Sequence, residues 1–453
     1  MLTNNSSTFR EARGPKGYPL LGVIPMLRSD PLNFFLTTAI EYGDVAKLDL
    51  GPRTFYLVTD PESIKYVLQD NNRNYRKGYD QARPLLGDGL VTAEGDSWLR
   101  QRRLIQPMFV PSQISRYIPV ITSATEEMLA NWEGFAKTDE PLDVAHEMMR
   151  LTQTIILRAM FSTDISSEVE QIARAFDTAL EHLNQVLFSP SKILDRIPTP
   201  NNIRHQRSLN YLNRFVFDLI AQRRRGSREI HDLLSLLIQA RDSETGLGMS
   251  DQQIRDEVMT IFLAGHETTA NALAWAWFLL AQNPEPMDKI TAEVDRVLEN
   301  RTPSAGKIQE FLYTRTVFDE TLRLYPPAWM FARHAIEDDE IGGFFIPADS
   351  MLMISPYVTH RLPHIWQEPD KFDPERFTAE NTSNRHKFAY FPFGGGPRVC
   401  IGNTFAITEA LIILAMVLQR FRLKLHPQQS IIPTPIATLQ PKPGILMHLK
   451  ARE

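Results

Sequence analysis

The chain has 453 residues, 43% of them hydrophobic, with a single cysteine and a formal net charge of −5. One cysteine excludes an internal disulfide and any zinc site built from several thiolates, and it suits a reducing cytoplasm. The acidic balance excludes a general nucleic-acid binder, whose domain would carry basic excess.

The N-terminal stretch "MLTNNSSTFREARGPKGYPLLG" has neither an apolar run long enough to cross a bilayer nor the layout of a secretory signal. Residues 45–60, "VAKLDLGPRTFYLVTD", alternate and predict a β-hairpin. From about 61 to 325 apolar residues recur at three- and four-residue steps, which predicts helices over 113–134, 143–162, 167–187 and 204–225. The longest predicted helix covers about 249–282, opening on Ser250 as a cap and stopping before Pro284. Strand-like pieces return over 331–355, followed by a polar, proline-marked stretch over 356–390. A glycine-rich loop, a helix over 402–420 and a β-rich tail complete the chain. The apolar runs 273–281 and 411–418 sit inside helical patterns and are too short to span a membrane. The expected fold is mainly α with a minor β-sheet, one domain over 1–453, in a cytoplasmic protein without a transmembrane anchor and monomeric by default.

The one cysteine lies in "FPFGGGPRVCIG" (391–402). Gly394, Gly395 and Gly396 permit backbone angles closed to other residues and allow close approach to a flat partner. Cys400 then stands at the start of an apolar helix, where aligned amides favour a thiolate, and Arg398 favours an anionic neighbour. One reading is an inert buried thiol; the other is a thiolate bonded to something.

In "FLAGHETTANALAW" (262–275) an apolar helix is interrupted by Gly265, His266, Glu267, Thr268 and Thr269, poor mid-helix choices for the most part. Thr268 is placed to bond the carbonyl of Ala264, four residues back, and glycine leaves room for a small ligand at the backbone. His266 is read as packed or structurally hydrogen-bonded; Glu267 either points to solvent or serves chemistry. Glu320 and Arg323 in "ETLRLYPP" share a helix face, and such a pair is usually worth little when solvated. In "WLRQRR" (98–103) Trp98 and Arg102 stand four apart on a helix. Arg100 and Arg103 are expected to face water, or else to form a basic docking patch for an acidic electron carrier.

The order Phe393, Gly396, Arg398, Cys400, Gly402 resembles the F-x-x-G-x-R-x-C-x-G signature of the cytochrome P450 family of haem-thiolate enzymes. Ala264, Gly265, Glu267 and Thr268 resemble that family's A-G-x-[DE]-T pattern. The resemblance extends over nearly the whole chain, and it implies the family's fold, with haem b held between the long central helix and the helix after the cysteine loop. It implies Cys400 as the axial iron ligand, whose thiolate pushes electron density toward O–O cleavage. It implies Trp98, Arg102, Arg333 and Arg398 as partners of the haem propionates, for which an indole N–H and guanidinium groups are suited. By the same resemblance Thr268 orders dioxygen, Glu267 feeds protons, and Glu320, Arg323 and Arg376 form a buried triad that fixes the segment before the cysteine loop. No reductase region is recognised within 1–453, so electrons are expected from a separate ferredoxin or flavodoxin and reductase.

By family position the substrate pocket would draw on 76–92, the 180s, the central helix, 328–331 and 436–440. Phe262, Leu263, Ala264, Trp329, Phe331 and Leu439 would give it an apolar wall, as a lipophilic ligand requires. The stretch 83–109 resembles the fatty-acid-hydroxylating branches, which puts a long-chain fatty acid first and a terpenoid or steroid next. Arg76 or Tyr79 could hold a carboxylate, or each is a plain surface residue. The competing readings are a peroxide-using peroxygenase of the same fold, a non-enzymatic haem-thiolate sensor, and a haem-free redox switch at Cys400. The Glu267–Thr268 pair favours the monooxygenase over the first two, since neither needs a proton relay.

Overall fold

The computed structural model describes residues 10–51, 53–162, 169–187, 199–226 and 232–452. By its internal contacts the chain divides into two compact units, each discontinuous in sequence: one runs to Gly78 and resumes over Asp319–Cys400, the other comprises Tyr79–Phe318 and Ile401–Glu453.

The first unit holds α1 (Pro31–Tyr42) and a five-stranded sheet built from β1 (Val45–Leu50), β2 (Arg53–Val58), β3 (Tyr75–Arg76), β5 (Phe331–Ala335) and β8 (Met351–Ile354). The spatial order is β1-β2-β8-β5-β3, antiparallel except for the parallel β2/β8 pair. The predicted hairpin is therefore the β1/β2 pair, in register from Val45↔Val58 to Leu50↔Arg53. Val45, Val58, Leu352 and Ile354, inward positions of their strands, are buried in this unit's core together with Ile64 and Phe388 from short helical turns. A second hairpin joins β6 (Asp339–Ile341) to β7 (Phe344–Ile346).

The second unit is mostly helical: α2 (Gly95–Ile105), α3 (Ile118–Thr138), α4 (Val144–Phe161), α5 (Val169–Leu187), α6 (Pro200–Arg225), α7 (Leu233–Gln239), α8 (Asp251–Gln282) and α9 (Pro284–Leu298). Helix α10 (Leu312–Leu324) is shared, its residues to Phe318 counted in this unit and those from Asp319 in the first, and α11 (Asn403–Arg420) follows the cysteine loop. Its strands are β4 (Leu142–Asp143), β9 (Phe421–Leu425) and β12 (Leu446–Ala451), in the order β4-β12-β9, and the hairpin β10 (Ile432–Pro435)/β11 (Leu439–Lys442).

Local signals explain the helix limits. The Ser250 hydroxyl accepts from Gln253 N at 3.2 Å, as its place before α8 predicts. Asp143 caps α4 by accepting from Ala145 N at 3.0 Å. Helix α3 starts five residues later than the periodicity suggests, because Pro111–Tyr117 is wound as two short turns before it. Helix α6 starts four residues earlier, capped by Thr199, which accepts from Asn202 N at 3.2 Å. Helix α11 is long and apolar enough to cross a membrane, yet Thr408–Leu418 are buried inside the protein, as in a core helix.

Candidate functional site

The cysteine loop belongs to the first unit. Gly394 N donates to Phe391 O at 2.9 Å, a 3₁₀ turn covers Gly396–Arg398, and Cys400 N donates to Phe393 O at 2.9 Å. These bonds present Cys400 exposed, with Phe393 and Arg398 half-buried. At Gly396 φ is +64°, and a Cβ there would lie 1.8 Å from the carbonyl oxygen of Leu68. The close approach that requires glycine at this position is thus to the chain's own backbone. Gly394 is also left-handed, at φ +72°, but a Cβ would meet nothing within 4 Å. Helix α11 begins only at Asn403, so the sulfur precedes its first turn by three residues.

The same unit contains the expected triad. Arg323 forks onto Glu320, with Nε to Oε2 at 2.6 Å and Nη2 to Oε1 at 2.8 Å, and both side chains are fully buried. Its remaining donors reach the carbonyls of His360 (2.8 Å), Pro369 (2.6 Å) and Lys371 (3.1 Å). Asp373 N donates to Glu320 Oε1 at 2.9 Å, and Arg376 Nε stands 3.6 Å from the same oxygen. Burial pushes the Glu320 carboxyl up, opposed by its bonds and charge contact with Arg323. His360 is buried too, accepting from Phe391 N through Nε2 at 3.0 Å, which ties the start of the cysteine loop to this cluster. Arg333 lies on β5, 8% exposed, with Nη1 donating to Ala332 O at 2.8 Å.

Helix α8 belongs to the second unit. Its residues from Ile254 to Phe262 are buried, whereas Leu263 and Gly265 are half-buried and Ala264 is exposed. Thr268 Oγ1 donates to Ala264 O at 2.8 Å, the four-residue back-bond read from the sequence. A Cβ on Gly265 would come 3.1 Å from Ile156 Cδ1, so this glycine also serves close packing of α4 on α8. There Thr152 Oγ1 donates to the carbonyl of His266 at 3.1 Å. His266 is fully buried, Nδ1 lies 2.8 Å from Phe262 O, and burial holds the ring below the ordinary histidine range. It is structural, as expected.

Glu267 does not point to solvent. It is buried and accepts from Thr438 Oγ1 at 2.6 Å and Gln440 Nε2 at 2.8 Å, while Asn271 Nδ2 donates to Thr438 at 3.1 Å. Sequence reading missed Thr438, Gln440 and Asn271. The one available signal was a polar pair flanking Leu439 in an otherwise apolar tail segment.

On α2, Trp98 and Arg102 are half-buried, and Arg102 Nε donates to Gln106 Oε1 at 3.3 Å. The expectation that Arg100 and Arg103 face water is corrected. Arg100 donates to Gly248 O at 2.7 Å and Gln253 Oε1 at 3.1 Å. Arg103 pairs with Asp242 at 3.0 Å and Glu244 at 2.7 Å. Asp242, Glu244 and Gly248 lie in the loop preceding α8 and Gln253 in its first turn, and between them they supply acceptors for both guanidinium groups.

Of the anticipated apolar wall, Leu263 and Ala264 are accessible on α8 and Phe331 is half-buried on β5. Phe262 is buried and stacked on Phe176 at 3.8 Å between centroids. Trp329 packs on Phe35, and Leu439 is fully buried with its carbonyl accepting from Trp275 Nε1 at 3.0 Å. Exposed Arg76 stands 3.7 Å from Asp349, and Tyr79 is half-buried. Part of the anticipated 180s segment, from residue 188 onward, lies outside the described residues.

These residues fit a haem. An iron porphyrin would need only one ligand from the protein, which a cysteine thiolate can supply, and Cys400 offers an exposed sulfur on a loop fixed by backbone bonds. Among the described residues no group of three or more His, Cys, Asp or Glu could hold a metal ion. Within the first unit, Arg333 and Arg398 could serve carboxylates; within the second, Trp98 and Arg102 could do the same, and Ala264 and Thr268 could line a small space beside α8.

Comparison with known proteins agrees with this geometry. The family model described as "Cytochrome P450" matches residues 12–449. Cyclooctatin synthase of Streptomyces melanosporofaciens is 40% identical over 96% of this chain and 95% of its own length. Pentalenene oxygenase of Streptomyces avermitilis is 33% identical over 98% of each chain. The crystal structure of the cytochrome P450DA heme domain superposes with a TM-score of 0.90 at 28% identity, covering 98% of both chains.

Proposed function

The chain belongs to the cytochrome P450 family, and on that premise we propose that it inserts oxygen into a terpenoid-type substrate through a haem bound at Cys400. The family is one of monooxygenases with haem b as cofactor. The haem, when bound, supplies the dioxygen chemistry: one oxygen atom enters an unactivated C–H or C=C bond, and the other leaves as water at the expense of two electrons and two protons.

The observation that carries the assignment is the setting of Cys400, the sole thiol, exposed on a loop fixed by the Phe393 carbonyl and by Gly396 against Leu68. By the family resemblance Arg333, Arg398, Trp98 and Arg102 are assigned to the propionates. Thr268 is assigned to dioxygen and Glu267 to proton supply. The whole chain acts as one catalytic domain in the cytoplasm, served by a separate ferredoxin or flavodoxin and its reductase.

For the substrate, the terpenoid-modifying relatives reverse the order that residues 83–109 suggest. Cyclooctatin synthase and pentalenene oxygenase match this chain end to end, which puts a cyclic terpenoid ahead of a long-chain fatty acid. Arg76, one candidate for holding a fatty-acid carboxylate, is already 3.7 Å from Asp349.

The experiment is the absorption spectrum of the dithionite-reduced protein with and without carbon monoxide. A strongly red-shifted Soret band in the parent, lost in Cys400→His, supports thiolate ligation; a band of the histidine-ligated kind in the parent overturns it. Titration with cyclic terpenes and with saturated long-chain acids, following the spin state, then decides the substrate class.

A further inference from the structure

Away from the residues assigned above, the second unit carries a linked chain of one aspartate and two histidines. His448 lies on β12, and its Nε2 is 2.8 Å from Nδ1 of His426, the residue that follows β9. The other nitrogen of His448, Nδ1, stands 3.0 Å from the carbonyl oxygen of Asp139 and 3.1 Å from its Oδ1. Both of these neighbours are acceptors, so Nδ1 carries the ring hydrogen and Nε2 of the neutral ring presents a lone pair toward His426. The rings meet nearly edge to edge, with centroids 5.0 Å apart and planes inclined at 31°.

This arrangement is held by the fold. Strands β9 and β12 pair antiparallel with Lys424 opposite His448, and His426 N donates to Leu446 O at 2.9 Å. Gln429 clamps the following turn, with Nε2 reaching His426 O at 3.0 Å and Leu446 O at 2.6 Å, while Leu446 N donates to its Oε1 at 3.0 Å. Asp139 caps the C-terminal end of α3 in the left-handed region, φ +55°, which turns its carbonyl and side chain toward the same ring.

We propose that His426 and His448 form a binding site for a first-row divalent cation such as Ni²⁺ or Zn²⁺. An imidazole whose far N–H is held by a carboxylate and a carbonyl is the usual surrounding of a metal-bound histidine, because that contact fixes both tautomer and ring orientation. Two nitrogens bound to a tetrahedral ion at about 2.0–2.1 Å each sit about 3.4 Å apart. To bind one ion the pair at 2.8 Å has to open by about half an ångström and both rings have to turn so that their lone pairs converge on it, and His426 moves its hydrogen from Nδ1 to Nε2. Water completes the coordination. Imidazole ligands favour nickel, copper and zinc over magnesium or calcium. The site is independent of the haem assignment.

Calorimetric titration of the holoprotein with NiCl₂, ZnCl₂ and MgCl₂ tests it. One equivalent of Ni²⁺ and Zn²⁺ should bind and Mg²⁺ should not. His448→Ala and His426→Gln should each weaken binding at least tenfold, the glutamine still able to donate to His448, and Asp139→Asn should weaken it about tenfold. A parent that takes up neither ion overturns the proposal. So does a His426→Gln/His448→Ala double variant that binds with unchanged stoichiometry and affinity. Tm followed against Ni²⁺ concentration gives the same answer for any variant whose calorimetric signal is small.

Discussion

Glu267 and Thr268 are neighbours in the chain but are committed differently. Thr268 spends its hydrogen on the Ala264 carbonyl and keeps its oxygen lone pairs. Glu267 is oriented by two donors, Thr438 and Gln440, that lie 171 and 173 residues further along. A carboxylate assigned to proton supply must be both positioned and titratable, and Glu267→Gln separates the two. The amide oxygen can still accept from Thr438, so folding and the carbon monoxide spectrum should be unchanged. Turnover should fall about a hundredfold, within the range that a lost acid–base group costs. Full turnover in this variant would remove Glu267 from the proton path. The same two residues mark how far sequence reading reaches. The Thr268 bond was legible because its partner is one helical turn away. The Glu267 partners were not, since no local pattern links a helix residue to a strand so distant in the chain. Arg100 and Arg103 failed for the same reason: a basic pair on a helix looks solvated until the loop residues Asp242, Glu244 and Gly248 come against it.

Among the elements, the end of α10 does more than a surface helix terminus. Arg323 joins Glu320 to three carbonyls, at residues 360, 369 and 371, so one guanidinium organises an irregular segment that has little regular hydrogen bonding of its own. In sequence this was an i,i+3 pair, and its burial followed only from the family resemblance. Exposed pairs of the same chemistry, such as Arg204 with Glu181 at 3.0 Å, contribute at most about 1 kcal/mol. Glu320→Ala leaves Arg323 buried without its carboxylate, a defect of about 3–5 kcal/mol. It also removes the acceptor for Asp373 N. The expected outcome is a lower Tm and a reduced haem-to-protein ratio after gel filtration. Arg204→Ala should change neither. Equal effects of the two substitutions would show that the triad is no more than an ornament.

At the scale of the whole molecule, buried ionisable groups of both kinds set how stability varies with pH. Burial pushes Glu257 up to about 8, partly opposed by the Leu90 N–H bonded to it, and burial drives Glu409 well above the carboxylate range. In the other direction, burial lowers His205 to about 4, and His266 and His360 are held down by the same cause. A carboxyl raised on folding keeps its proton in the native state at pH values where the unfolded chain has lost it, so stability falls as pH rises from about 4.5 toward 8. A histidine lowered on folding does the reverse: the unfolded chain takes up a proton first, and stability falls as pH drops below about 6.5 toward 4. Together these groups place the optimum on the mildly acidic side of neutrality. The urea midpoint should therefore be higher at pH 6 than at pH 8. Glu257→Gln keeps an acceptor for Leu90 N–H while removing the titration, so it should raise the midpoint at pH 8, through a stability gain on the order of a few kcal/mol at most. At pH 6 it should change the midpoint less, narrowing the gap between the two conditions. A gap that stays as wide in the variant as in the parent would mean that Glu257 ionises in the folded protein no differently from the unfolded chain. The pH dependence would then rest on the other buried carboxyls.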